Sequence, residues 1–126
     1  MVSFNNQPSP QKLSAEFASR LAQLAAGEVV RAIVLLATRV DAPKGRRPTA
    51  NERRVIAELV RRQAEQALPE IDAILEDYGG ERYSPRPDVL GSVTVETTVD
   101  GISALAASEK VVRILEDQSI FPLAKP

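Results

Sequence analysis

The segment Val29–Thr38, VVRAIVLLAT, constrains the fold more than any other part of the chain, because it is the most apolar and most β-branched run. A run of this length and composition predicts a β-strand. One alternating set of its side chains is entirely apolar, and the other is interrupted only by Arg31. Both faces of this strand therefore require cover, as in the centre of a sheet.

Composition excludes several classes of function. The 126 residues are the usual length of one domain, and they include no Cys and no His. Disulfides, thiolate chemistry, imidazole bases and the common zinc sites are thereby excluded, so we expect neither an enzyme nor a cofactor. The net charge of −1 argues against a general affinity for nucleic acid or membrane. With no signal-like start and no membrane-length apolar run, we expect a cytoplasmic protein.

The chain before the central strand predicts an arm and a helix. Residues 1–8 are polar and rich in turn formers, which indicates a loosely held arm. Ser9-Pro10 is typical of a helix start, and Gly27 of a helix end, so we expect a helix over residues 9–27. Its single apolar stripe is formed by Leu13, Phe17, Leu21 and Leu24.

A long helix is predicted after the loop at residues 39–48. Thr49 and Glu52 have the spacing of a capping box, and Gly79-Gly80 is a typical helix end. The helical spacing of apolar residues continues across Pro69, which predicts a kink in one helix. The predicted inward positions are Ile56, Leu59, Val60, Ala67, Ile71, Ile74, Leu75 and Tyr78.

Two strands and a short helix are predicted in the remainder, after a short strand at Glu81–Tyr83. Ser92–Val99 alternates, with valines and Thr97 facing a core and Ser92, Thr94, Glu96 and Thr98 facing the other way. Asp100 is the expected cap of a short helix that runs to Glu109. The last strand is Val111–Leu115. The tail at residues 120–126 is unusually apolar for a chain end.

The order of elements after the first helix is β-α-β-β-α-β. This order is typical of an α+β ferredoxin-like sandwich, in which helices cover one face of a four-stranded antiparallel sheet and the other face stays open. The domain is predicted to span residues 9–119. We expect one core with the central strand, formed by Val93, Val95, Ile102, Leu105, Ile56 and Leu59.

Three segments together resemble the subtilisin propeptide and the related stand-alone inhibitors of subtilisin-type serine proteases. They are VVRAIVLLA, the helix that ends in Gly79-Gly80, and VTVETTVDGISALAASEKVVRILEDQ. The resemblance spans about residues 29–123, and its most specific positions are the glycine pair and the acidic pair Glu116-Asp117. The first helix is an addition to the family pattern, and whether it covers the open sheet face is left open by the sequence.

The resemblance implies a protein that acts in trans as an inhibitor or folding chaperone of such a protease. The open face, with Thr94 and Glu96, would pack on the protease. Glu116 and Asp117 would lie at the amino ends of two protease helices, where free amides and partial positive charge favour carboxylates. The tail would enter the active-site cleft as a strand, with Leu123 at the nucleophile, preceded by Ile120, Phe121 and Pro122.

Two alternatives to this interpretation remain open. A ferredoxin-like domain of another class would pair its open face with a second copy and form a homodimer with no protease involved. The second alternative concerns the tail, whose Ile120, Phe121 and Leu123 would pack against the domain's own sheet and not enter a protease cleft. Binding of RNA through the sheet requires exposed aromatic side chains, which Thr94, Glu96 and Arg113 do not supply, so we expect no nucleic-acid partner.

Overall fold

The computed structural model describes residues 12–41 and 43–117, and the predicted arm and tail lie outside them. In this part of the chain, four helices accompany a four-stranded antiparallel sheet, which makes the fold α+β. No helix among these residues combines the length and the apolarity of a membrane span. The elements are α1 (Ala15–Ala22), β1 (Val29–Leu36), α2 (Ala50–Glu65), α3 (Leu68–Asp77), β2 (Glu81–Arg82), β3 (Ser92–Thr98), α4 (Val99–Ala106) and β4 (Val111–Glu116).

The central position predicted for β1 is confirmed. The strand order is β2-β3-β1-β4, and β1 pairs antiparallel with both β3 and β4. Val34, for example, lies opposite Val93 on one side and Ile114 on the other. Every strand that neighbours β1 is therefore remote from it in sequence.

The core lies between one face of the sheet and the helices. Val93, Val95, Ile102 and Leu105 are at most 1% exposed, which confirms their predicted burial. Phe17 of α1 belongs to the same buried cluster, so α1 lies with the other helices on the covered face. The largest fully buried apolar side chains are Phe17, Ile71, Leu75, Ile102, Leu105, Ile114, Val34, Val93, Val95 and Val111.

Helix α1 is shorter than the predicted span of 9–27. Its N-cap is Ser14, whose hydroxyl accepts a hydrogen bond from the amide of Phe17 at 3.0 Å. Leu13 forms a parallel bridge with Ile114, and the Ile114 amide donates to the Lys12 carbonyl at 2.7 Å. The backbone there is bonded to β4, so it is not available to start the helix. The predicted start at Ser9-Pro10 lies outside the described residues.

The predicted single long helix is in fact two helices. The capping box at its start is confirmed, since the Glu52 amide donates to the Thr49 hydroxyl and the Thr49 amide to the Glu52 carboxylate. The helical hydrogen-bond pattern changes at Ala67. Its amide donates to the Ala64 carbonyl, three residues back instead of the four of an α-helix. Pro69 has no amide hydrogen, so it fits the first turn of α3 but not the middle of a helix.

The end of α3 at the glycine pair is confirmed. Gly79 has a φ of 72°, a left-handed conformation that costs a glycine little. The Gly80 amide donates to the Leu75 carbonyl at 2.8 Å, which satisfies a carbonyl of the last turn.

Two residues predicted to face the core do not. Leu59 is 43% exposed and Tyr78 is 38% exposed, while Ile56 is half-buried. Ala64 is the buried residue of α2, and it lies in the helix's last turn. The apolar stripe of α2 therefore reaches the core only near the helix's C-terminal end, and its first three turns contribute nothing to the buried cluster.

Helix α4 begins one residue after β3 ends. Its N-cap is Thr98 and not the predicted Asp100, because the Thr98 hydroxyl accepts a hydrogen bond from the Gly101 amide at 3.0 Å. The helix ends at Ala106, before the predicted Glu109. A side chain at Gly101 would overlap the hydroxyl of Thr97, so the strand and helix approach each other as closely as glycine allows.

Candidate functional site

The open face is the side of the sheet opposite the helices. All four helices of the described residues contribute to one buried cluster, which also contains Ala32 and Val34 from alternate positions of β1. The intervening positions of β1 face the other way. The open face is lined by Val29, Arg31, Ile33, Leu35, Glu81, Tyr83, Thr94, Glu96, Thr98, Arg113 and Leu115.

An apolar strip crosses the open face. Ile33 lies opposite Thr94 of β3 and opposite Leu115 of β4, and side chains in such cross-strand positions contact each other. Leu115 remains 39% exposed, and Val29, at one end of β1, remains 62% exposed. The strip therefore retains apolar surface that a partner would remove from water.

A polar cluster lies beside this strip. Glu96 is the cross-strand partner of Arg31, and it accepts a hydrogen bond from the hydroxyl of Tyr83. The guanidinium carbon of Arg31 lies 4.8 Å from the centre of the Tyr83 ring, a cation–π contact. The hydrogen bond to Glu96 favours the protonated phenol and is the main reason that the pKa of Tyr83 is raised. The three side chains form a charged edge to the apolar strip, joined by the hydrogen bond and the cation–π contact.

The sequence predicts Thr94 and Glu96 on this face but not the roles of Arg31 and Tyr83. The structure brings Thr94 and Glu96 to the same side of β3, as the alternation predicts. In the sequence, Arg31 is only a break in an apolar run, and Tyr83 is a single aromatic residue in a short strand. The sequence contains two hints of this cluster. Arg31 interrupts one face of an otherwise apolar strand, and Glu96 carries a carboxylate in another predicted strand.

The acidic pair lies at the end of β4. Glu116 pairs with Ala32 in the sheet, and its carboxylate lies 2.9 Å from Nε of Arg20 in α1. Because cross-strand partners share a face, the Glu116 side chain is on the covered side and not on the open face with Glu96. The Asp117 amide donates to the Arg31 carbonyl at 3.1 Å, so Asp117 continues the sheet one residue beyond β4. The predicted tail residues Ile120, Phe121, Pro122 and Leu123 lie outside the described residues.

Metal ligation has no candidate site in residues 12–41 and 43–117, where no group of three or more acidic ligands gathers. Comparison with known family models found no match for this chain, and comparison with curated proteins found none either. The structural feature that bears on function is therefore the open face.

Proposed function

We propose that this chain is a ferredoxin-like, protein-binding domain of the subtilisin-propeptide type. It acts in trans on a subtilisin-type serine protease, either as an inhibitor or as a folding chaperone, within the cytoplasm. After α1, the order β1, α2 with α3, β2, β3, α4, β4 supports the ferredoxin-like assignment. The observation that carries the proposal is the open face, an apolar strip with a polar edge and no helix of the described residues upon it.

The composition of the open face suits a protein partner. Its centre is apolar at Ile33 and Leu115, while its edge carries both signs of charge at Arg31 and Glu96. Apolar contact at the centre of an interface excludes water, and charged groups at the rim set orientation more than affinity. Asp117, the last described residue, is hydrogen-bonded through its amide to the carbonyl of Arg31, and the Arg31 side chain lines this face. We propose that residues 120–126 enter the active-site cleft of the same partner, as the sequence resemblance implies.

The acidic pair has unequal roles in this proposal. Asp117 is offered to the positive amino end of a partner helix, as the resemblance implies. Glu116 contacts Arg20 in the free protein, so its use by a protease requires that it give up or share this ion pair. We expect Asp117→Asn to weaken binding more than Glu116→Gln, and Glu116→Gln to affect the attachment of α1.

A titration of a subtilisin-type protease with the purified chain tests the proposal directly. Substrate turnover is followed while mass analysis records whether the chain is intact, clipped once or degraded. Thr94→Arg introduces a long charged side chain into the open face, and Ser103→Arg makes the same change on the exposed side of α4. We expect Thr94→Arg to weaken inhibition about tenfold or more and Ser103→Arg to leave it unchanged. Rapid degradation of the chain without slowed turnover would refute the inhibitor role.

The tail gives a second, independent test. If Leu123 fills a protease pocket, Leu123→Asp should reduce inhibition by about tenfold to a hundredfold. Removal of Ala124–Pro126 should leave inhibition intact or improve it, because Leu123 would then end the chain as in the family. If Leu123→Asp leaves inhibition unchanged, a substrate-like tail is excluded, whereas binding through the open face is not.

Self-association through the open face is the second candidate function. The exposed side chains of Leu115 and Val29 favour it, because a second copy would cover them equally well. Sedimentation over a range of concentrations distinguishes the two. The inhibitor proposal would be replaced by self-association if the chain forms a homodimer that Thr94→Arg dissociates and if the chain has no effect on the protease.

The folding-chaperone role is separated from inhibition by a refolding experiment. Denatured protease is diluted into buffer with and without the chain, and the recovered activity is measured after the chain has been digested. A gain in recovery that Thr94→Arg abolishes and Ser103→Arg does not would support the chaperone role. No gain, together with inhibition of the mature protease, would leave inhibition as the function.

A further inference from the structure

A small pocket lies at the end of the open face where β2 begins. It has a volume of about 290 Å³ and is lined by Val29, Gly79, Gly80, Glu81, Glu96, Thr97 and Thr98. Gly79 and Gly80 come directly before β2, and neither has a side chain that could fill the space beside β3. A methyl group at Gly80 would overlap the Glu96 carbonyl oxygen, so only glycine permits this approach of the two segments. We call this feature the glycine pocket.

Two carboxylates line the glycine pocket side by side. Glu81 of β2 is the cross-strand partner of Glu96 of β3, and the Cβ atoms of such partners are about 4.5–5.5 Å apart. Like charges in these positions destabilise a sheet. Arg31 lies opposite Glu96 on its other side, whereas no side chain of the described residues forms an ion pair or hydrogen bond with Glu81. The free domain therefore contains a repulsion here that a cation from outside would relieve.

A third acceptor group lies at the wall of the glycine pocket. Thr97 is 1% exposed, and its Oγ1 has no hydrogen-bond partner within residues 12–41 and 43–117. A Cβ at Gly80 would come within 2.9 Å of this oxygen, which places it directly behind the glycine pair. The large majority of buried side-chain oxygens in proteins have a partner. The lining thus contains acceptors without a donor, and it includes no lysine or arginine.

The glycine pocket also has an apolar side. Val29 is 62% exposed and lies at the start of β1, opposite Thr98. An arginine side chain combines methylene groups, which pack on apolar surface, with a charged head. The volume of about 290 Å³ is at the lower limit of ligand-binding clefts, about 300–1,000 Å³, so the pocket suits one side chain and not a whole ligand.

We propose that the glycine pocket receives an arginine side chain of the protein that covers the open face. The methylene groups of this arginine pack on Val29, and its guanidinium pairs with Glu81 and Glu96. A guanidinium has several N–H donors in a planar fork, so it can bond two neighbouring carboxylates at once, whereas an ammonium acts as a point charge. The identity of the covering protein rests on the proposed function, but the preference of the pocket for arginine does not.

Binding of a single arginine residue tests the glycine pocket without the protease. N-acetyl-arginine N-methylamide is titrated into the isotope-labelled full chain, and the chemical shifts of the backbone amides are recorded. We expect saturable shifts at Gly79, Gly80, Glu81 and Thr98, with a dissociation constant in the millimolar range, because only one side chain is bound. N-acetyl-citrulline N-methylamide has the same shape without the charge and should cause much smaller shifts.

Glu81→Gln separates the carboxylates of the pocket from those of the remaining surface. It keeps the size of the side chain and should weaken binding of the arginine derivative about threefold or more. The unfolding temperature should not fall, because the change removes a like-charge pair. Glu109→Gln is the matched control, since Glu109 is an exposed carboxylate outside the pocket, and it should leave binding unchanged.

Titration of the protease with the same two variants tests the origin of the arginine. We expect Glu81→Gln to weaken inhibition about threefold or more and Glu109→Gln to leave it unchanged. If the wild-type chain inhibits no subtilisin-type protease, the proposed function fails, while the arginine derivative still decides on the pocket. If Glu81→Gln inhibits as strongly as the wild type, the protease does not supply the arginine, which contradicts this inference.

Other results would overturn the pocket itself. They are the absence of saturable shifts at the glycine pair, equal shifts with the citrulline derivative, and undiminished binding to Glu81→Gln. The chain's own tail is an alternative occupant, because it contains Lys125. Tighter binding of the arginine derivative to Lys125→Gln would identify the tail as that occupant. Shifts at the pocket that depend on the concentration of the chain alone, and that Glu81→Gln abolishes, would identify a second copy.

Discussion

The two faces of the sheet are built from the same strands but differ in what covers them. Ala32 and Val34 of β1 are completely buried, while Val29 and Arg31 on the other face are exposed. On β4, Ile114 is buried and its neighbour Leu115 is 39% exposed. An apolar side chain in a strand therefore indicates that a face can be covered, but not that this chain covers it. The covered face stabilises the domain, and the open face is available for a partner.

Truncation of the two neighbours on β4 provides the largest expected contrast. Ile114→Ala leaves a cavity in the core and should lower the free energy of unfolding by about 2–5 kcal/mol. Leu115→Ala removes a partly exposed side chain and should lower it by less than about 1 kcal/mol. Urea unfolding of both variants measures the difference. Equal losses would mean that the open face is covered in the free protein.

The contact between α4 and β3 tests how tightly the covered face is packed. A side chain at Gly101 would overlap the Thr97 hydroxyl, an oxygen that is buried without a hydrogen-bond partner among the described residues. Gly101→Ala should lower the free energy of unfolding by about 1–3 kcal/mol, because well-packed cores resist added atoms. Thr97→Ala makes room for the new methyl group. The double variant should therefore be more stable than Gly101→Ala alone, and additive losses would contradict this packing.

Arg82 and Tyr83 are neighbours in sequence that lie on opposite faces of the sheet, and each has an interaction that depends on pH. Arg82 is on the covered side of β2 and makes a bidentate ion pair with Asp72 of α3, at 2.9 Å for both bonds. This hydrogen-bonded guanidinium is the main cause of the lowered pKa of Asp72. Because the pKa is lower in the folded state, the pair contributes stability above the ordinary pKa of Asp, about 3.9, and loses it as pH falls through the folded value.

Asp72→Asn measures that contribution. The difference in free energy of unfolding between the wild type and this variant should be present at neutral pH and should shrink as the pH falls below about 4. Nearly half of the Asp72 side chain is exposed, so we expect a small difference, of the size usual for surface pairs. Glu81→Gln, a change at an exposed carboxylate of the same sheet, is the control. A difference that grows in acid would mean that the ion pair does not lower the pKa of Asp72 in solution.

Loss of the Glu96 carboxylate on the open face should change the titration of Tyr83 with almost no change in the stability of the domain. Its hydrogen bond to Glu96 raises its pKa above the ordinary value. In a Tyr78→Phe background, the ultraviolet absorbance reports the ionisation of Tyr83 alone, since the chain has two tyrosines. Glu96→Gln should lower the pH at which Tyr83 ionises and change the free energy of unfolding by less than about 0.5 kcal/mol. An unshifted titration would mean that Tyr83 does not contact Glu96 in solution.

Local signals predict much of this fold. The Thr49 cap, the stop at Gly79 and the alternation of Val93 and Val95 are all set by residues within a few positions of each other. The break before Pro69 cannot be told from a kink, because the missing amide permits both outcomes. The sequence places Leu59 in the core wrongly, since helical spacing reveals an apolar side but not whether anything lies opposite it.

The site is less predictable than the fold. Alternation assigns Glu96 to the open face, but its contact with Arg31 and Tyr83 depends on the strand order, which joins positions that are distant in sequence. The sequence does not indicate the pairing of Glu116 with Arg20 either, because that ion pair depends on where α1 lies in the fold. Both contacts are between elements, and no local pattern specifies which elements meet.

The strand order has a consequence for synthesis on the ribosome. β1 ends at residue 36, whereas its two partners begin at residues 92 and 111. At a synthesis rate of roughly 5–20 residues per second, the most apolar strand waits on the order of 4–16 seconds before both neighbours exist. Until then its backbone groups lack their native partners and are open to non-native pairing. A strand that is the centre of the finished sheet is thus the most vulnerable part of the nascent one, and we expect yield in cells to depend on how quickly residues 92–117 follow.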